Sequence, residues 1–172
     1  MDRLEKATRV AAAHVARLYE RQPQVKPIPG TVVFVGHGRS LVWRELKEFL
    51  ADRLHLRVDE FNRVAVAGVT TAERLGEMLD AAAFAFLIMT AEDEQPDGKV
   101  RARENVVHEA GLFQGRLGFK KAIILLEEGC EEFSNIHGLG HIKFPKGNIS
   151  AKFEEIRRVL ERERVIASGP HA

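Results

Sequence analysis

Three short, unbroken apolar runs constrain this chain more than anything else in it: Val32-Val33-Phe34-Val35, Ala83 to Met89, and Ala122-Ile123-Ile124-Leu125-Leu126. Each is far too short to cross a bilayer. None shows the polar alternation of a strand with one wet face, so each reads as a strand covered on both sides. The stretches between them carry helical periodicity. Strands alternating with helices require right-handed crossovers and a mainly parallel sheet.

The remaining elements fill in around these runs. Residues 3–21 form an apolar-leaning helical face, and Pro23, Pro27, Pro29 and Gly30 then act as a linker. After the first strand, Gly36-His37-Gly38-Arg39-Ser40 turns the chain, and Ser40 is placed to cap a helix running to about Leu54. Leu56 to Phe61 is a second strand, less apolar and so nearer an edge. Thr70-Thr71-Ala72-Glu73 is a capping box opening a helix to about Ala82. Thr90 to Val100 is a polar loop. Arg101 to Gly118 is a helix with Val106, Ala110, Phe113 and Leu117 on one stripe. Glu127 to Gly140 is a long acidic loop, His141 to Phe144 a short fifth strand, and Ser150 caps a final helix to about Val165.

This order predicts an α/β fold: a flavodoxin-like three-layer sandwich with a five-stranded parallel sheet in spatial order 2-1-3-4-5. Residues 1–27 are read as an N-terminal helix and linker, and 28–168 as the α/β domain. In such sheets ligands bind beyond the carboxyl ends of the strands, where the first and third strands diverge. The turn Gly36–Ser40 and the loop Thr90–Val100 frame that crevice, and the Arg101–Gly118 helix springs from the second of them.

Composition excludes several classes. A formal net charge of +1 gives no footing for nucleic acid or anionic membranes. The opening Met-Asp-Arg-Leu-Glu-Lys is too charged for a signal peptide. A single cysteine permits no internal disulfide, so a reducing cytoplasm is the expected setting. That cysteine, Cys130, sits in an acidic loop that should raise its thiol pKa, and it is not a candidate nucleophile. No His or Cys pair has metal-ligand spacing on one face.

Candidate site residues cluster at the crevice. Glu109 lies at the margin of an apolar stripe, where a carboxylate can be partly desolvated and still reach a ligand, and it also reads as a surface glutamate paired with a nearby arginine. Gly36, His37, Gly38 and Arg39 offer glycines for close backbone approach, a cation and a helix N-terminus, parts that suit a phosphate. The same turn also serves as a plain strand-to-helix connection. Phe61 can stack on a base or pack in the core, and Trp43 reads as core.

The strand and turn Val33-Phe34-Val35-Gly36-His37-Gly38 and the later helix Arg101-Ala102-Arg103-Glu104-Asn105-Val106-Val107-His108-Glu109-Ala110-Gly111, running on to Gly115 and Leu117-Gly118, resemble a known pattern. The chain is similar over about residues 31–148 to the prokaryotic TIR-like family, once described as predicted nucleotide-binding proteins. That family includes effector domains of STING-linked and cyclic-pyrimidine-linked (Pycsar) anti-phage systems. The resemblance implies an NAD+ glycohydrolase that cleaves the bond between ribose and nicotinamide, with NAD+ as substrate and no cofactor. Glu109 takes the place of the family's catalytic glutamate, and Arg103 and Asn105 match motif residues before it. Arg103 is either a phosphate or structural contact at the site or a solvent-facing charge. Asn105 either bonds the ligand or caps the Thr90–Val100 loop. The resemblance also implies activity that depends on self-association, with a cyclic-nucleotide sensor domain or protein upstream. The N-terminal helix serves that association, attaches to a sensor domain, or packs on its own domain.

Two other readings stand beside this one. One is a non-catalytic TIR-type interaction module, which has no need of a carboxylate at the crevice. The other is a nucleoside deoxyribosyltransferase-like enzyme, against which the Arg-Ala-Arg-x-Asn motif argues.

Overall fold

In the computed structural model, residues 30–60, 71–132 and 140–167 are described. The expected N-terminal helix and linker, Phe61, the loop after the second strand and Thr70 of the capping box lie outside them.

Five parallel strands form one sheet: β1 (Val32–His37), β2 (Val58–Glu60), β3 (Ala82–Met89), and, after a small ribbon, β6 (Ala122–Glu127) and β7 (His141–Phe144). The order across the sheet is β2-β1-β3-β6-β7, with every neighbouring pair parallel. Counting sheet strands alone, this is the expected 2-1-3-4-5 arrangement. The second strand is edge-placed as expected but shorter. Leu56 and Arg57 belong instead to its approach, where the Leu56 amide donates to the Leu50 carbonyl at 2.9 Å.

The continuous apolar runs are explained by two cores, one on each face of the sheet. Val33 and Val35 of β1, Phe84, Phe86 and Ile88 of β3, and Ile123 and Leu125 of β6 point to one face. There α1 (Val42–Glu48, continued by a π-helical turn Phe49–Arg53) and α4 (Phe153–Arg162) cover them with Leu46, Leu50, Ile156 and Leu160. Phe34, Ala85, Leu87, Met89, Ile124 and Leu126 point to the other face. They are covered by Met78 of α2 (Thr71–Ala81) and by Val106, Ala110 and Phe113 of α3 (Glu104–Leu117). The Phe34 and Phe113 rings stack with centroids 4.1 Å apart. Such a pair contributes about 1 kcal/mol beyond its buried area and ties α3 to β1.

Four local expectations are corrected. First, α3 begins at Glu104 rather than Arg101. Arg103 is its N-cap, in extended backbone (φ −61°, ψ 138°), and its carbonyl takes the Val106 amide at 3.0 Å. Second, the polar loop is not structureless. Asp93–Glu94 (β4) and Val100–Arg101 (β5) pair as an antiparallel ribbon. Arg101 is drawn out of the helix by this pairing and by its Nε, which donates to Glu131 at 2.6 Å. Third, Ser40 does not cap α1. The N-cap is Leu41, with no side-chain cap bond. Fourth, the last helix is entered through a 3₁₀ turn, Ile149–Lys152, capped by Asn148 and not by Ser150. The Asn148 Oδ1 accepts from the Ala151 amide at 3.3 Å, and the Ser150 hydroxyl donates to that same oxygen at 2.8 Å.

Among the described residues, no helix is long and apolar enough to cross a membrane.

Candidate active site

The crevice between the carboxyl ends of β1 and β3 is built on two glycines and two glutamates. Gly36 is the fifth residue of β1, next to Leu87 of β3 in the sheet. Its bare Cα faces α3. A β-carbon there would stand 2.7 Å from Glu109 Oε2 and 2.7 Å from Leu87 Cδ1. Glu109 is therefore seated directly on the backbone of β1. It is 9% exposed. The reason is helical spacing: Glu109 follows Val106 by three residues and precedes Phe113 by four, so it shares the face that α3 buries.

Gly38 faces the second carboxylate. A β-carbon on it would collide with the Glu92 carboxyl group. The Arg39 amide donates to both oxygens of Glu92, at 2.9 and 2.8 Å, and the Ser40 amide to Oε1 at 3.0 Å. The Thr90 hydroxyl donates to Oε1 at 2.5 Å. The backbone donors expected to receive a ligand phosphate are thus satisfied by a side chain of the protein itself. Burial alone pushes the Glu92 carboxyl pKa up. The hydrogen bonds from Thr90, Arg39 and Ser40, with the charge of Arg103, outweigh burial and hold it below the usual carboxylate range.

His37 is likewise committed to the protein. Its Nδ1 donates to the Gly38 carbonyl at 2.8 Å, Nε2 lies 3.3 Å from Glu60 Oε2, and the ring stacks on Trp43 at 4.3 Å. Lys47 holds the other oxygen of Glu60 at 2.9 Å. Trp43 is half-buried against the first core while its ring carries His37.

The remaining expected residues distribute as follows. Arg103 is half-buried at the start of α3, close enough to Glu92 to act on it electrostatically. Arg39 is exposed, with its amide on Glu92. Asn105 is exposed on the first turn of α3, away from the buried stripe. Phe61 lies outside the described residues. The structure therefore gathers Gly36, His37, Gly38, Arg39, Arg103 and Glu109 about the carboxyl end of β1, with Asn105 exposed on the first turn of α3.

Sequence reasoning missed Glu92, Thr90 and Glu60. A signal for the first was present: Thr90-Ala91-Glu92 leaves the third strand straight into the crevice, opposite a glycine turn rich in amides. A second buried carboxylate, Glu127, ends β6. Its Oε2 accepts from the Ala91 amide at 3.1 Å and its Oε1 from the Gly147 amide at 2.9 Å. It fixes the root of the Glu92 loop from the far side.

Cys130 is buried, and its thiol is pushed up to about 11. The direction is the one expected from sequence. Burial is the main cause and the neighbouring Glu127, Glu92 and Glu131 add to it, against a lowering backbone hydrogen bond from Ala102.

A family model described as the CAP12/Pycsar effector protein, TIR domain, matches residues 32–146. That span runs from the first residue of β1 to just beyond β7 and includes every crevice residue named above. No curated protein matches the chain.

Proposed function

The chain belongs to the TIR-domain family of CAP12/Pycsar effector proteins, and from that premise we propose that it is an NAD+ glycohydrolase of anti-phage defence with Glu109 as its catalytic carboxylate. The observation that carries this reading is the seat of Glu109: a buried carboxylate pressed against Gly36, at the switch point where a parallel sheet of this order binds ligands.

The chemistry asks for one carboxylate. Ordinary glycosidases use two, because an alkoxide leaving group needs a proton. Nicotinamide departs from a cationic pyridinium as a neutral molecule and takes the bonding electron pair with it. The ribosyl carbon is left as an oxocarbenium-like centre. A carboxylate held in a largely water-excluded seat stabilises that charge without reorganising. Water then adds to the carbon and loses a proton, so that NAD+ and water give nicotinamide, ADP-ribose and a proton. Arg103, half-buried and acting on Glu92, and the exposed Arg39 are cations suited to the substrate's diphosphate. Asn105, exposed one turn before Glu109, is suited to a hydroxyl at the rim.

Self-association as the activating event, and a cyclic-nucleotide sensor as the upstream signal, follow from the same family premise and are part of the proposal. The direct test is nicotinamide release from NAD+ by wild type and Glu109→Ala, at high protein concentration with a crowding agent. Release by wild type and none by the variant supports the assignment. Equal release by both displaces the active site from Glu109. Release by neither favours a non-catalytic interaction module.

A further inference from the structure

Two glycines with one residue between them are each fitted to a carboxylate, but the two carboxylates are held differently. Glu109 comes from a helix and lies on Gly36. Glu92 comes from a loop and is fixed from several sides: two amides of the turn, the Thr90 hydroxyl, the bare Cα of Gly38 and the nearby charge of Arg103. A group so over-determined does not act as a removable plug, since every one of those contacts would be lost on opening. It acts as a strut.

We infer that Glu92 is a positioning residue, an internal anion that stands where a ligand phosphate was expected and fixes the Gly36–Ser40 turn against which Glu109 is seated. The physical link is short. Glu92 holds Arg39 and Ser40, His37 is pinned between Gly38 and Glu60, and the backbone of the same turn carries Gly36. Movement of the turn moves the surface that sets where the Glu109 carboxylate rests. The substrate's phosphates are then left to side chains rather than to the amides of this turn. The inference rests on the glycohydrolase reading for its catalytic consequence, but its geometric part does not.

The experiment uses the full chain as wild type, Glu92→Gln and Thr90→Val. The second variant removes only the hydroxyl that orients Glu92 and keeps the volume, so it serves if the first fails to fold. Two readouts are taken together: the amide and carboxyl NMR resonances of Gly36 and Glu109, and kcat and KM for nicotinamide release from NAD+. The expected result is that both resonances shift, with kcat falling about tenfold to a hundredfold while KM stays within about twofold. Thr90→Val should move both readouts the same way but less.

Unmoved Gly36 and Glu109 resonances overturn the inference. So does an unchanged kcat, or a raised KM at constant kcat, which would mark Glu92 as a direct substrate contact. Faster turnover or a lower KM overturns it in favour of a displaceable plug. If the wild type releases no nicotinamide, the glycohydrolase reading fails on that arm. The NMR arm still decides whether Glu92 positions Glu109.

Discussion

The carboxylate of Glu109 and the backbone of Gly36 are in such close contact that a methyl group on Gly36 would stand 2.7 Å from Oε2. These residues lie far apart in sequence, and that contact is what turns a buried helix residue into part of a crevice. Gly36→Ala should displace Glu109, press on Leu87 and Phe34, and cost about 1–3 kcal/mol through overpacking. Activity should fall by about tenfold to a hundredfold through misplacement of the carboxylate. Gly111→Ala, on the same helix with open space around it, is the contrast. It should stabilise the fold by up to about 1 kcal/mol. Thermal denaturation and nicotinamide release measure both; a Gly36→Ala protein of normal activity would break the link between this contact and catalysis.

Glu127 should matter to stability rather than to chemistry. Its two oxygens satisfy the amides of Ala91 and Gly147, which belong to segments otherwise far apart in sequence. Glu127→Ala leaves both without that acceptor, at a cost of about 1–3 kcal/mol for each one that water cannot reach. Urea denaturation gives the number, and a midpoint equal to wild type would show that the two segments hold themselves.

The acid limb of stability should carry the signature of Glu92. Its folded-state pKa is depressed, so its contribution is present above the unfolded value of about 4.3 and is lost as pH falls through the lower folded value. The Arg103 guanidinium adds its charge to the hydrogen bonds that hold the Glu92 carboxylate in its ionised form. Glu92→Gln should therefore flatten the pH dependence of the melting temperature below about pH 4.5. A slope identical to wild type would mean that other carboxylates carry the acid limb.

Cys130 should be slow to alkylate in the folded protein. With its thiol pushed up to about 11, the thiolate is scarce at neutral pH, and burial limits access as well. The sign on stability follows. The folded pKa lies above the unfolded value of about 8.5, so the contribution is complete below that pH and is lost as pH rises towards 11. Iodoacetamide labelling followed by mass spectrometry across pH 7–10 tests this. Labelling as fast as in the denatured chain would contradict it.

If assembly activates the proposed hydrolase, specific activity should rise with protein concentration over about a hundredfold range, as mass action on an associating form requires. Nicotinamide release along a dilution series decides this; a flat profile would remove self-association from the proposal.

The sequence by itself determined the architecture. Unbroken apolar runs separated by helical periodicity specify a parallel sheet buried on both faces, and the stripe of Val106, Ala110, Phe113 and Leu117 puts Glu109 at the margin of the helix's apolar face. These are local, periodic signals, and local geometry suffices to read them. That Glu109 is buried there was decided by packing on β1. Tertiary structure decided what the crevice is made of. Glu92 reaches the amide of a residue 53 positions away, and that bond converts an apparent phosphate cradle into a closed internal contact. The withdrawal of Arg101 into a ribbon with Asp93 and an ion pair with Glu131 moved the helix start in the same way. Amide N–H groups donate to any well-placed anion, whether from a ligand or from the chain, and only the folded arrangement of distant segments selects between them.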